Sequence, residues 1–386
     1  MRIAFRLVPF AAAALAAAGC ASAAGAGVRW EPEVLYEGPF AFERIRVGRP
    51  DAANPGPQVV GVDQGGRVVL VRWEGGVPRS EIVHDHLTEL TGLAVADVDP
   101  DLPGEEIYAG GNGAPDGRTG EGGRLEGTGG AVLQIALGPG GPRVRRVFEG
   151  GAYVHSVEPV PPQAAGDPVR LLVTTYAGEV LLLTPAPGDG PWPARLLYRE
   201  PAAADPEVPK IKDAAFLRDP AGGPPHEVLL ALKTGRAVLL DIARPGGARL
   251  VHEEKGGLSR VTADPEGGAF VTGYAGRVLH FVRSPDGLRV EVAGQDGSDS
   301  GLRGFVFGRY PLPDGGTADR VVFGFHALCR ALVPRNGAWD PVTLFKDTDR
   351  GHTIDAADLV PGNDADELVM GGYSRRITMI VARPDR

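Results

Sequence analysis

The sequence predicts an all-β protein, a seven-bladed β-propeller with four-stranded blades, on three observations. Gly and Pro are abundant, 57 and 35 in 386 residues, and both cost stability inside helices, so long helices have little room. One phrase, an apolar strand, a tight turn and a second apolar strand, recurs along the chain. The last copy lacks the strand that should follow it, and a strand of the missing kind stands near the start.

The recurring phrase reads VVGVDQGGRVVLV (59–71), LLVTTYAGEVLLL (171–183), VLLALKTGRAVLL (228–240), AFVTGYAGRVLHF (269–281), VVFGFHALCRALV (321–333) and LVMGGYSRRITMI (368–380). A seventh copy is split by an insertion into EIYAGG (106–111) and GGAVLQI (129–135). Repeats of about 50 residues belong to propeller blades or solenoids. Before each hairpin comes a strand rich in small residues, such as TGLAVADV, KIKDAAFL and GLRGFVFG. Small side chains suit an innermost strand, where the sheets crowd around one axis. After each hairpin comes a strand of alternating polarity, such as SEIVHDH, ARLLYREP and LRVEVAG, the pattern of a half-exposed edge.

ITMIVARPDR ends the chain with no such outer strand, while EPEVLYEG (31–38) precedes the first inner strand and echoes ARLLYREP. The N-terminal strand is therefore expected to pair with the C-terminal hairpin and close the ring, since an open ring leaves two unpaired apolar edges. An open solenoid would instead carry distinct polar caps.

Ahead of the propeller, Arg2 and Arg6 and the apolar run LVPFAAAALAAAG form an export leader too short for a comfortable membrane span. Two endings fit. AAGC (17–20) resembles a bacterial lipobox with Cys20 as the lipidated residue, although Ala17 stands where Leu is usual; ASA (21–23) offers an ordinary A-x-A cleavage site. The expected limits are a leader at 1–20, a short linker at 21–30 and the propeller at 31–386, a monomer in the cell envelope held to a bacterial membrane by lipid alone. With Cys20 lipidated, Cys329 has no partner, so packing rather than disulfides must hold the fold. A net charge of -9 argues against nucleic acid as a partner.

Two inner-strand exits carry acidic clusters, ADVDPDLPGEEIYAGG (96–111) and ADLVPGNDADELVMGG (357–372). These resemble the FG-GAP and VCBS-type repeats of integrin-α-like propellers, written D-x-D-x-D-G-x-x-D before an apolar strand. Asp97, Asp99, Asp101 and Glu105 or Glu106 match in the first loop; Asp358, Asp364, Asp366 and Glu367 match more loosely in the second. The resemblance implies a Ca²⁺ site at Asp97, Asp99, Asp101 and Glu105. The turn glycine is displaced and Pro100 and Pro103 stiffen the loop, so the alternative is that Asp caps the turn through backbone N–H groups, with no cofactor.

Propeller ligands usually bind at one mouth of the central channel. There the hairpin turns contribute Asp63, Tyr176, Lys233, Tyr274, His326 and Tyr373, and the inner-strand starts contribute Glu43, Arg44, His155, Lys212, Asp213, Arg260, Arg303, His352 and Asp355. These repeat-equivalent positions are mostly polar, charged or aromatic, yet differ from one another. A purely structural ring would more readily repeat one residue type. Tyrosines among cations suit a glycan, a peptide or a protein partner, and the ligand set is Arg44, Tyr176, Lys212, Lys233, Arg260, Tyr274, Arg303, His326 and Tyr373. The competing reading is a mutually satisfied ion-pair network. The rival function is a propeller-type lyase or hydrolase using His155, His352 and Asp355, but no nucleophile elbow, HExxH or spaced Cys–His pair supports it. The insertion at 112–130 is Gly-rich and charged and reads as a surface loop or a lid over the mouth. The pair His84 and His86 alone is too few ligands for a transition metal.

Overall fold

A computed structural model describes residues 27–386, apart from 87, 114–128, 202–208, 220, 245, 286, 296–300, 336–337, 361, 363–364 and 385–386. The leader, Cys20, most of the insertion and Asp364 lie outside the described residues. Strand β1 (Val28–Glu37) comes first. The first blade follows as β2 (Phe42–Gly48), β3 (Gln58–Asp63), β4 (Arg67–Glu74) and β5 (Val77–Asp85). The second is β6 (Leu90–Ala96), β7 (Glu106–Asn112), β8 (Gly130–Ala136) and β9 (Arg143–Gly150). The third is β10 (Val154–Val160), β11 (Arg170–Thr175), β12 (Glu179–Leu183) and β13 (Ala194–Arg199). The fourth is β14 (Ile211–Leu217), β15 (Glu227–Leu232), β16 (Arg236–Asp241) and β17 (Ala248–Glu253). The fifth is β18 (Leu258–Ala263), β19 (Ala269–Gly273), β20 (Arg277–Ser284) and β21 (Gly287–Gln295). The sixth is β22 (Leu302–Pro311), β23 (Thr317–Gly324), β24 (Leu328–Arg335) and β25 (Ala338–Lys346). The last is β26 (Gly351–Ala357), β27 (Glu367–Gly372) and β28 (Arg376–Pro384), completed by β1 in the order β1-β28-β27-β26. The chain is thus a seven-bladed propeller of four-stranded antiparallel sheets, with no helix among the described residues.

The burial of each strand follows its place in the blade. The second strands are apolar runs sandwiched between neighbouring blades, so β3, β7, β19 and β27 are buried at every residue. Outer strands face water on one side, and β13 is half-buried at best along its length. Small residues on the inner strands allow the close approach the sequence suggested. A Cβ at Gly304 of β22 would sit 2.4 Å from Ile354 Cγ2 in the next blade.

Closure joins more than two strands. Val28 of β1 stands opposite Pro384 and Glu37 opposite Arg376. Val28, Arg29 and Trp30, placed in the linker by the sequence, belong to this strand. Trp30 Nε1 donates to the Pro311 carbonyl at 3.0 Å, and its ring faces Tyr310 in the sixth blade. Leu35 lies in the core shared with the first blade, and Tyr36 meets Phe42 edge-on at 5.8 Å. β1 therefore fastens the last blade to both of its neighbours.

Every inner strand breaks register near its start: between Phe42 and Arg44, Leu90 and Gly92, Val154 and Ser156, Ile211 and Asp213, Leu258 and Arg260, Leu302 and Gly304, and Gly351 and Thr353. Each break leaves one extra residue, and such a bulge bends the strand and re-aims its side chains. The extra residues are Glu43, Thr91, His155, Lys212, Ser259, Arg303 and His352, all buried.

Removing residues 28–37 should expose the β28 edge and detach Trp30 from Pro311. The expected outcome is aggregation or loss of a single cooperative melt, read by calorimetry and light scattering. A truncated chain that melts like the parent would show that the ring does not depend on this latch.

Candidate functional site

The main chain aligns the mouth residue by residue. In each blade the residue at the end of the second strand or just after it donates its N–H to a carbonyl just before the inner strand: Gln64 to Ala41, Asn112 to Glu89, Tyr176 to Tyr153, Lys233 to Lys210, Tyr274 to Gly257, Phe325 to Gly301 and Tyr373 to Arg350. The predicted Tyr176, Lys233, Tyr274 and Tyr373 hold these places. Two positions shift by one residue. Asp63 is buried and caps its own turn by accepting from Gly65 and Arg67, leaving the mouth position to Gln64. His326 likewise accepts from Leu328 N, and Phe325 takes the mouth position. The sequence reading missed Phe325 because a polar residue stands beside it in the same turn.

Cations lie over the aromatic rings. Lys210 Nζ is 4.6 Å and Lys212 Nζ 5.5 Å from the Tyr176 centroid. Lys233 Nζ is 3.6 Å from Tyr274, and the Arg303 guanidinium lies 4.2 Å from Tyr274 and 4.3 Å from Phe325. Arg350 lies 4.1 Å from Tyr373. Tyr274, Phe325 and Tyr373 also meet edge to face at 6.4 and 6.1 Å. The rings are half-buried and Arg350 is exposed. Such contacts hold cations in place over the ring faces.

Beneath this layer the bulge residues interlock. Lys212 Nζ is 2.7 Å from His155 Nε2, and His155 stacks on Tyr176 at 5.2 Å. His352 Nε2 is 3.2 Å from the Glu43 carboxylate, which also accepts from Gln64 at 2.5 Å. Arg303 donates to Ser259 at 2.8 Å. One step deeper, Arg44 of the first blade reaches Asp213 of the fourth at 2.8 Å, with both side chains 3 % exposed. Asp213 accepts in addition from Ser156 and from Val261 N. Arg260 donates to the Glu43 carbonyl at 3.1 Å. The predicted competing arrangement, an internal ion-pair network, is thus real at this depth. The half-exposed rings and cations lie above it.

The electrostatics follow from burial among cations. Burial opposes the Glu43 carboxylate, but His352, Gln64, Lys212 and Arg260 hold it down at about 2. Burial likewise opposes Asp213, yet Arg44 and Arg260 keep it below the usual carboxylate range. Burial, then Lys212, pushes His155 well below the ordinary imidazole value. Burial also lowers His352, with Glu43 pulling the other way. Burial raises Glu158 and Asp355.

His155, His352 and Asp355 are committed to different partners. His155 serves Lys212 and Tyr176, and His352 serves Glu43. The Asp355 carboxylate accepts from Val47 N and Ala356 N. No hydrogen bond joins the three. The acidic loop is divided in the same way. Asp99 accepts from Arg145 at 2.9 Å and Gln134 at 3.0 Å, and its other oxygen caps Asp101 N. Glu106 accepts from Val98 N, Asp99 N and Tyr108, while Glu105 reaches Arg49 N at 2.5 Å. Asp97 and Asp101 are exposed. Among the described residues no three His, Cys, Asp or Glu side chains converge as metal ligands. In this arrangement the Asp99 and Glu106 carboxylates cap main-chain N–H groups, and Asp99 also pairs with Arg145.

A groove of about 1100 Å³ on the opposite face, between the first two blades, is lined by Trp73, Pro55, Leu102, Leu137 and Pro139. It is roomier than the channel, but its arginines are paired: Arg72 with Asp51, Glu74 and Glu81, and Arg143 with Asp189. The mouth, where cations converge, is the better candidate site.

No protein-family model and no curated protein matches the chain. Among solved structures, it is similar to the WD40 β-propeller domain of Doa1, at 12% identity and a TM-score of 0.58, over 92% of this chain and 97% of that one. It is also similar to the β-propeller domain of Cps50 (Swd1) from Myceliophteria thermophila, at 14% identity and a TM-score of 0.60, over 91% and 99%. At such identities the likeness establishes the fold alone.

His155 fixes a pH dependence. The unfolded chain takes up its proton near the ordinary value while the folded chain does not, so its contribution is present above pH 6.5 and is lost as pH falls. The stability lost as pH falls below 6.5 therefore includes a contribution from this group. Glu158 and Asp355 act in the opposite sense, so His155→Gln isolates the effect. Urea unfolding between pH 7.5 and 5.5 (about two units) should be less pH-dependent in the variant. An identical dependence in both proteins would contradict the assignment.

Proposed function

We propose that the chain is a non-catalytic binding module whose channel mouth takes an acidic peptide segment of a partner protein. The supporting observation is the layer of Lys233, Arg303 and Arg350 held on the faces of Tyr274, Phe325 and Tyr373. Because cations already cover these rings, their faces are not free to stack on a neutral sugar. Arg350 also pairs with Asp349 at 3.7 Å and Arg303 donates to Ser259, and the N–H groups beyond these contacts are held in fixed positions that carboxylates match. The chain as a whole is acidic, at -9. A local positive mouth on an acidic protein selects a ligand by position of charge rather than by net attraction. The dispersed contacts of His155, His352 and Asp355 favour binding over turnover.

The rest of the proposal is cellular. The leader at 1–20 exports the chain, and Cys20 carries lipid that anchors it to a bacterial membrane. The residues that support this are Arg2, Arg6, the apolar run and AAGC. Kinship with FG-GAP and VCBS-type repeats rests on the two acidic loops.

Two outcomes are expected. In fluorescence anisotropy, a labelled Glu-rich peptide should bind the parent, and replacing Lys233 and Arg350 together by Ala should weaken it at least about tenfold. Equal binding by parent and variant would refute the mouth. Preference for a uronate-bearing glycan over the peptide would transfer the site to that ligand class. Separately, mass spectrometry of the chain expressed in a bacterium should find a diacylglyceryl mass on Cys20 that Cys20→Ser abolishes. Release of an unmodified chain cut after ASA would select ordinary export instead.

A further inference from the structure

Past the Arg44–Asp213 bridge, the channel widens toward the opposite face into a chamber of about 290 Å³. Its charged walls are Arg44, Arg46, Glu158, Asp213, Arg260, Arg303 and Asp355. We propose that this chamber is a binding site for a small free oxyanion, of the phosphate or carboxylate class, held by Arg44 and Arg260. It is a second site, separate from the mouth except for Arg303, which lines the chamber and also lies on Tyr274 and Phe325.

The hydrogen-bond inventory of the chamber points one way. Its acceptors are already in use. Asp213 serves Arg44, Ser156 and Val261 N; Glu158 serves Arg46 and Ser156; Asp355 serves Val47 N and Ala356 N. Its donors are not. Arg44 Nε and Arg260 Nη1 have no protein acceptor among the described residues, although Arg44 is only 2% and Arg260 only 5% exposed. Buried N–H groups of charged side chains rarely go unpaired.

Charge gives the second argument. Arg44 and Arg260 repel one another, and Asp213 is the carboxylate that acts most strongly on each. Burial and then Arg44 pull Arg260 down to about 9, so it is still a cation at neutral pH, but a poorly compensated one. Water could satisfy the spare N–H groups without relieving this repulsion; an oxyanion does both. The guanidinium fork matches the oxygen spacing of phosphate and carboxylate. The volume, roughly ten times the share of one water in the liquid, accommodates phosphate or a short dicarboxylate and excludes a folded peptide.

The test is isothermal titration of the full chain at low ionic strength with inorganic phosphate and, separately, with a four-carbon dicarboxylate. Saturable binding of either at one site is expected, and which one binds tighter assigns the class. Arg260→Gln should weaken that binding at least about tenfold. Arg46→Gln, at the partly exposed lip of the chamber, should weaken it by a smaller factor. If Arg260→Gln loses cooperative unfolding, Arg46→Gln decides the matter by itself. No saturable binding of either anion, or unchanged affinity in the folded variants, would overturn the site. The acidic peptide is absent from this titration, so failure here leaves the mouth reading standing.

Discussion

The pairing of β1 with β28 is the constraint on which the rest depends. A propeller has no single core; its apolar clusters lie between neighbouring blades, so each blade is buried only if both neighbours are present. The last blade would lack its outer strand without β1, and the seam between first and last blades would open. Trp30 and Tyr36 make the latch two-sided, because one packs toward the sixth blade and the other toward the first. Ring closure then forces seven inner strands around one axis. There the bulges turn Glu43, His155, Lys212, Arg303 and His352 into buried positions.

Burying that many charges carries a desolvation cost that geometry must offset. The Arg44–Asp213 pair spans the channel between the first and fourth blades, and removing one partner of such a buried pair typically costs about 3–5 kcal/mol. The network therefore specifies how distant blades sit relative to one another. It also layers the channel: half-exposed rings and cations at one end, a paired network in the middle, and a chamber lined by Arg44, Arg46, Arg260 and Arg303 toward the other. A chain with net negative charge thus contains a locally positive axis.

Much of the fold was legible because its signals are short-range. The seven hairpins, their small-residue inner strands and the alternating outer strands are each visible within a few residues. The match between EPEVLYEG and the other outer strands was visible because a strand carries its exposure in its own alternation. The boundary at 30/31 fell inside β1, since VRW continues a strand whose tryptophan is buried by a blade remote in sequence. At the site, Tyr176, Lys233, Tyr274 and Tyr373 were found by aligning turns. Phe325 and Gln64 were missed by one position, because which turn residue faces the axis depends on a main-chain bond to the preceding inner strand. At the acidic loop, Arg145, Gln134 and Arg49, distant along the chain, decide where Asp99 and Glu105 turn.

By itself the sequence determined the blade count, the strand order and the latch, since local hydrophobic alternation and turn chemistry suffice to specify antiparallel hairpins and to show which edge is incomplete. Only the tertiary structure decided which charges meet. Arg44 and Asp213 lie in blades that are not neighbours, and no local pattern encodes a contact made across an axis that exists only once the ring has closed.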